Sequence, residues 1–406
     1  MTGRLLRRPG TWPWWVQVLV VATLARAGSA LVLLAVATTQ AENPWTGAAP
    51  SYFSYTGLMW DASWYRGIAE QGYPAGLPRG TDGAVLQNSW AFFPLFPLLA
   101  RVVMLVTGGS WQVVAPLSAT VLGVAAMLVV HQVVSHAMAQ PRAAVLDRRR
   151  PGARAVVPLL TVALLATSAS SPVLQVGYTE SLALLLVAAV LWSIQRERYG
   201  LAALVVVALG LTRAVALPVV VVVLAHAVSR WRDLPTGRRV AVVGVAGLAG
   251  VSGLGWPALV GWATGEPEAY TLTQGAWRGR GAVVPLVPWV DVAHWLLGRW
   301  GVALLVVLAV VLLAALASPA MRRLGPEQAA WAAGYVGYLA VVLEPGTSLV
   351  RFAILAVPFW AALAQPVAVS RRRVPLTVAL LVVGVLGQAA WIGLLWRLVP
   401  PSGWPP

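Results

Sequence analysis

Carboxylates and arginines that could do chemistry are few in this chain, and the densest group lies in Met59 to Pro74, MWDASWYRGIAEQGYP. Asp61 sits between Trp60 and Trp64, with Tyr65, Arg66, Glu70 and Tyr73 close behind. Aromatic neighbours shield a carboxylate from water and move its pKa, and a carboxylate so placed is suited to general-base work. Flat rings also suit sugar rings. The run after Asp61 reads as a short helix, which puts the carboxylate near a helix N-terminus, where the ionised form is favoured. The residues alone leave two roles open, a general base and a plain helix cap.

Other candidates are spread along the chain. Glu180 opens an apolar run in GYTES, beside Tyr178, and a carboxylate entering a span normally faces a cavity; the alternative is a helix-start charge. Arg213 is buried in a long apolar stretch and needs an anionic or carbonyl partner. Arg351 starts a later apolar run, and Arg278 and Arg280 follow Trp277 in a polar loop. Guanidinium forks hold phosphate oxygens in pairs, so these arginines suit a phosphate-bearing lipid; snorkelling to headgroups is the competing role. Arg26, within the first apolar run, has either Glu180 or a substrate as its expected partner. His294 is the one histidine expected on the outer side. The absence of cysteine excludes thiolate chemistry and Cys-ligated metal. No phosphate-binding loop, dinucleotide fingerprint, zinc-protease or EF-hand pattern is present. No metal or other cofactor is expected, although Glu180 is placed to hold either an ion or a hydroxyl.

Hydrophobic residues make up 59% of the 406, and only 10% are charged, far below the ~25% of a soluble domain. Ala/Val/Leu runs recur along the whole length, so the expected fold is an all-α polytopic membrane protein. The runs number about eleven, each read as a helical span. They are 15–38, 111–138, 156–171, 180–194, 200–211, 215–229, 240–262, 299–317, 328–343, 352–369 and 375–396. Residues 92–107, short and interrupted by Pro94 and Pro97, fit an interfacial helix instead. Residues 200–229 could form one helix, yet arginines flank both ends, and Arg-rich loops face the cytoplasm. Two short helices meeting near Thr212-Arg213 are therefore expected.

All 29 basic residues are arginine, and nearly all of the net +16 charge falls on segments expected inside, including Arg4, Arg7 and Arg8. The basic balance is thus a topology signal, which removes the main reason to expect nucleic acid as a partner. The N-terminus is expected inside, with outer loops at 39–110 and 263–297, in one transmembrane domain over 1–406.

Several stretches, in order, resemble the GPI mannosyltransferase II-type family, especially its bacterial, actinomycete members. They are WDASWYRGIAEQGYP, AFFPLFPLLARV, GYTES, LTR within an apolar run, EAYTLTQGAW and LVRFAILAVPFW. The resemblance runs from Trp60 to Trp360. Ala62 and Ser63 stand where many relatives have glycine. It implies a GT-C-type glycosyltransferase bundle with juxtamembrane helices in the first outer loop, in the plasma (cytoplasmic) membrane. It implies a polyprenyl-phosphate-mannose donor, an outward-facing active site and a catalytic aspartate, here Asp61. Mannose would pass to a lipid, glycan or protein acceptor with inversion. Trp60, Trp64, Tyr65, Arg66, Tyr178, Glu180, Arg213, Trp277, Arg278 and Arg351 are the expected substrate-binding set. The rival expectations are a lipid-linked sugar transporter or flippase and a non-catalytic polyprenyl-lipid-binding protein.

Overall fold

A computed structural model describes residues 12–281 and 283–399; Arg4, Arg7, Arg8 and the last residues of the tail lie outside that range. The described chain is helical, in order α1 (Trp14–Ala37), α2 (Tyr52–Gly57), α3 (Asp61–Gln71), α4 (Leu95–Thr107), α5 (Trp111–Ala139), α6 (Val145–Arg149) and α7 (Ala153–Ala166). Then come α8 (Glu180–Gln195), α9 (Tyr199–Gly210), α10 (Leu217–Arg230), α11 (Thr236–Thr264), α12 (Ala269–Arg278) and α13 (Val287–Leu297). The last six are α14 (Gly301–Ala317), α15 (Pro319–Leu324), α16 (Pro326–Val342), α17 (Leu349–Phe352), α18 (Val357–Val369) and α19 (Arg373–Trp391). Each apolar run expected to be a span contains one of these helices. Among the described residues five helical stretches are long and apolar enough to cross a bilayer, and up to six if a bent pair counts as one. The chain is a multi-pass membrane protein.

The bundle is organised on α5, which packs against α1, α2, α4, α7 and α8. Ala126, Val130 and Val134 of α5 are buried with Val187 and Leu191 of α8 and with Val157 and Leu165 of α7. Small residues allow close approach between membrane helices. At Gly57, the last residue of α2, an added Cβ would lie 2.8 Å from the Gln112 carbonyl of α5, while Trp111 Nε1 donates to the Gly57 carbonyl at 2.7 Å. Gly57→Ala is expected to lower stability by about 1–3 kcal/mol through overpacking, read as a lower unfolding temperature in detergent; an unchanged temperature would show that α2 can shift freely.

The two short helices expected within 200–229 are α9 and α10, separated at Leu211 to Ala216. The short helix expected within 92–107 is α4, with Phe96, Pro97 and Ala100 buried and Leu98, Leu99, Val102, Val103, Leu105 and Val106 exposed on its other face. Arg26 pairs with neither Glu180 nor a substrate-facing group. It donates to the Ala166 carbonyl at 2.6 Å and to Ser171 Oγ at 3.0 Å, pinning α1 to the turn after α7. Gln388 of α19 joins the same node through Ser171 Oγ and Ser29.

Three expectations need correction. The loop 263–297 is not merely polar coil: it holds α12 and α13, and α13 belongs with α14 to one apolar stretch, Val287–Ala317. Polar GEPEAYTLTQGAW hid an amphipathic helix. The third span runs over 153–166; turns follow at 167–170, and a 3-10 helix covers Ser171–Gln175. The span expected over 352–369 is broken. α17 and the 3-10 turn after it meet α18 at 73°; Pro358 opens α18 and has no N–H to give to the preceding turn. Arg351 thus sits on its own short helical turn and not at the head of a straight span.

Candidate active site

Asp61 is the first residue of α3, so the short helix begins at the carboxylate itself. Ala62, Tyr65, Ile68 and Ala69 form the buried face of α3, and Tyr65, Ile68 and Ala69 pack with Phe92, Phe96, Ala100, Trp111 and Ala115 of the α4 and α5 region. This packing fixes the helix that carries Asp61. The residue before it, Trp60, has φ 57° and ψ −129°, a conformation that glycine adopts freely and that costs any other residue about 1–3 kcal/mol. Two contacts hold it: Trp60 Nε1 donates to the Trp396 carbonyl at 2.7 Å, and its ring lies 5.1 Å from that of Trp45. Trp60→Phe keeps an aromatic ring but removes the donor and part of the buried indole. It is expected to lower stability by about 1–3 kcal/mol, since a buried carbonyl loses its partner and a void opens beside it; thermal unfolding in detergent checks this, and no change would mean that neither contact holds the turn.

Three other elements bring charge to Asp61. Arg351 of α17 places a guanidinium nitrogen 2.7 Å from Asp61 Oδ2 and another 3.5 Å from Glu180 Oε1. Arg213, in the break between α9 and α10, lies 2.7 Å from the same Glu180 oxygen and donates to Thr179 Oγ1 at 3.2 Å. Glu180 is the first residue of α8, where the helix end favours its negative charge. The order is therefore Asp61, Arg351, Glu180, Arg213, with alternating and formally cancelling charges. Glu180 is 1% exposed and Arg351 7%.

Aromatic faces line this array. The Phe352 ring lies under both guanidiniums, at 4.6 Å from Arg213 and 5.1 Å from Arg351, and the Tyr178 ring is 5.0 Å from Arg351. The Tyr178 hydroxyl oxygen accepts from the Asp61 backbone N–H at 3.2 Å. Tyr65 lies 3.3 Å, hydroxyl to hydroxyl, from Thr179. Burial pushes the Tyr65 phenol far above its ordinary pKa, so the hydroxyl stays protonated and able to donate. The array is not fully satisfied: Arg351 Nε is buried with no hydrogen-bond acceptor among the described residues. An unmade buried hydrogen bond costs about 1–3 kcal/mol, more for a charged group.

The remaining expected residues lie around this centre or away from it. Trp64 stacks on Phe92 at 5.8 Å and meets Trp277 edge-on at 5.2 Å; Trp277 Nε1 donates to the Asn88 carbonyl at 3.3 Å. These rings wall the outer side of α3. Arg66 is not in the array. It pairs with Glu70 at 2.9 Å on the exposed side of α3. Arg278 ends α12 and makes no ion pair among the described residues, and Arg280 bridges Asp291 and Glu344 at 3.4 Å each. Thr179, Phe352 and Trp396 were not expected. Thr179 is inside the GYTES motif and Phe352 follows Arg351, so proximity to those residues was the available signal; Trp396 had none.

Fold and site together define a multi-pass helical membrane protein with a buried carboxylate–arginine array at the start of an amphipathic helix. No family model matches the chain, and no curated protein matches it. Among solved structures, the crystal structure of ArnT from Cupriavidus metallidurans in the apo state is similar over 91% of this chain, with a TM-score of 0.46 and 16% identity. The chain spans 62% of the length of that protein.

Proposed function

We propose that this protein is a membrane glycosyltransferase of the GT-C type that moves mannose from a polyprenyl-phosphate-mannose donor to an acceptor hydroxyl on the outer face of the plasma membrane. The observation that carries the reading is the pairing of Asp61 with Arg351, itself shared with Glu180, at a point where Arg351 Nε still lacks a hydrogen-bond acceptor. A phosphate oxygen is the acceptor such a guanidinium is suited to. The order of motifs around Asp61, Glu180, Arg213, Trp277 and Arg351 supports the choice of mannose and of a polyprenyl carrier.

In the proposed reaction Asp61 takes the proton of the acceptor hydroxyl. The acceptor oxygen bonds to the anomeric carbon through an oxocarbenium-like state, and the bond from that carbon to the phosphate oxygen breaks. Polyprenyl phosphate leaves with the electron pair, its charge met by Arg351 and Arg213. One displacement inverts the anomeric centre. While Arg351 holds Asp61 Oδ2 at 2.7 Å, that oxygen is closed to an acceptor hydroxyl, so donor phosphate must draw Arg351 away before the acceptor can lose its proton. Glu180 keeps both arginines charged and oriented in either arrangement.

The test uses purified full-length protein, labelled polyprenyl-phosphate-mannose and a membrane extract as acceptor. A new glycosidic bond formed in detergent is the expected result. Movement of the labelled lipid across sealed vesicles with no new bond would overturn the assignment in favour of transport.

A further inference from the structure

At the end of the bundle away from Asp61, the first turns of α1, α7 and α19 and the closing turns of α5 surround a groove of about 480 Å³. We propose that this groove binds one anionic phospholipid, with its phosphate at Arg373 and an acyl chain laid between the helices.

The groove is separate from the site at Asp61. α1 and α19 both start beside it. Both end near the Asp61 turn, where Gln40 donates to the Leu398 carbonyl and Trp60 to the Trp396 carbonyl. The 19 residues of α19 span about 28 Å, close to the ~30 Å of a hydrocarbon core. The groove thus belongs to the leaflet opposite Asp61. The arginine excess at that end marks it as cytoplasmic, the side that carries anionic lipid.

The gap follows from how α19 packs. Along its later turns it is tight against the chain after α7: a Cβ at Gly384 would lie 2.4 Å from the Thr167 carbonyl oxygen, and one at Gly387 2.9 Å from Ala169 Cβ. Gln388 adds hydrogen bonds to Ser29 and Ser171. The first turns stand off. Val374 and Val378, which line the groove, are 67% and 54% exposed.

The lining changes with depth as a phospholipid does. Arg373 is at the mouth, Arg371 and Arg372 precede it, and none of the three makes an ion pair among the described residues. Three helices start here, α1, α7 and α19, each without a side-chain cap among the described residues; open N–H groups at a helix start favour a phosphate. Asp147, the acid nearest in sequence to α7, is already paired with Arg154. One turn along from Arg373 is Thr377, and on α5 are His131 and Ser135. The His131 ring lies flat on Trp14 with centroids 5.1 Å apart, and Ser135 Oγ is 3.4 Å from its Nδ1. These N–H and O–H groups suit ester oxygens, which only accept. Val21, Leu159, Leu160 and Val378 complete an apolar wall for the chain. A zwitterionic headgroup brings a cation that the arginines repel, so charge selects a headgroup with net negative charge.

The experiment is native mass spectrometry of delipidated full-length protein in detergent. Dioleoylphosphatidylglycerol and dioleoylphosphatidylcholine are the probes, because they share their chains. One phosphatidylglycerol adduct is expected, bound roughly tenfold or more tightly than phosphatidylcholine. Arg372→Gln with Arg373→Gln should remove that preference, while Arg230→Gln with Arg232→Gln, at the same end but beside α10, should keep it. Val378→Trp retains every charge and fills the groove; it should lose the adduct while the lipid-free protein unfolds at the parent temperature. Undecaprenyl phosphate added to the loaded protein should leave the phosphatidylglycerol adduct in place. Equal binding of the two probes, or an adduct undiminished in Arg372→Gln with Arg373→Gln or in Val378→Trp, would overturn the proposal. So would equal loss in Arg230→Gln with Arg232→Gln, which would mean diffuse charge, or displacement by undecaprenyl phosphate, which would give the groove to an isoprenoid chain.

Discussion

Asp61→Asn is expected to reduce glycosyl transfer by roughly 10²–10⁴-fold, the range a positioned general base supplies, while donor binding persists or strengthens. The two effects have different origins. The amide cannot take the acceptor proton. It also no longer competes for Arg351, which in the structure lies 2.7 Å from the Asp61 carboxylate, so the guanidinium becomes freer to meet phosphate. Asparagine is close in shape, and helix α3 stays anchored by Ala62, Tyr65, Ile68 and Ala69. Donor affinity and transfer rate measured on the same preparation check this. A residue that only capped the helix would show little change in rate; undiminished transfer in Asp61→Asn would sink the base assignment.

The second large effect is expected at Arg351. Arg351→Gln leaves two carboxylates without a shared cation, and breaking a buried ion pair from one side costs about 3–5 kcal/mol. Poor yield or a much lower unfolding temperature is expected, together with loss of transfer. The double variant Arg351→Gln with Asp61→Asn separates these consequences: Glu180 keeps Arg213 as its partner at 2.7 Å and the carboxylate left without a cation is removed, so stability should recover in large part, but transfer should not. Arg351→Lys keeps the charge and loses the fork that could hold Asp61 and phosphate in turn; it should fold and bind donor weakly. Full activity in the lysine variant would show that a point charge suffices and that the exchange between Asp61 and phosphate is not needed.

Much of this site is legible in the sequence because membrane segments are so poor in polar groups that each exception stands out. Asp61, Glu180, Arg213 and Arg351 were singled out on that ground, and the structure brings all four into contact. The break between α9 and α10, which presents Arg213, followed from arginines at both ends of one apolar run. Patterns within one segment were less informative where a residue's role depends on a distant partner. Arg66 looked equivalent to Arg351 as an available guanidinium, yet Glu70, one turn away on the same helix, engages it. Arg278 had the same composition cues and lies outside the array. The 73° bend before α18 has only Pro358 as a local sign, and proline at the first turn of a helix is as compatible with a straight entry. Hydropathy also concealed α12, whose polar and apolar residues average out along the chain but separate around the helix.

Trp60 and Trp396 are 336 residues apart and joined by one hydrogen bond. Ribosomes add roughly 5–20 residues per second, so the backbone turn that aims Asp61 waits roughly 17 to 67 seconds for the carbonyl that secures it. During that interval α3 is already made, and of the two contacts on Trp60 only the Trp45 ring, 5.1 Å away, is in place to hold the costly conformation. The turn before α3 is thus secured only after α19 has been made.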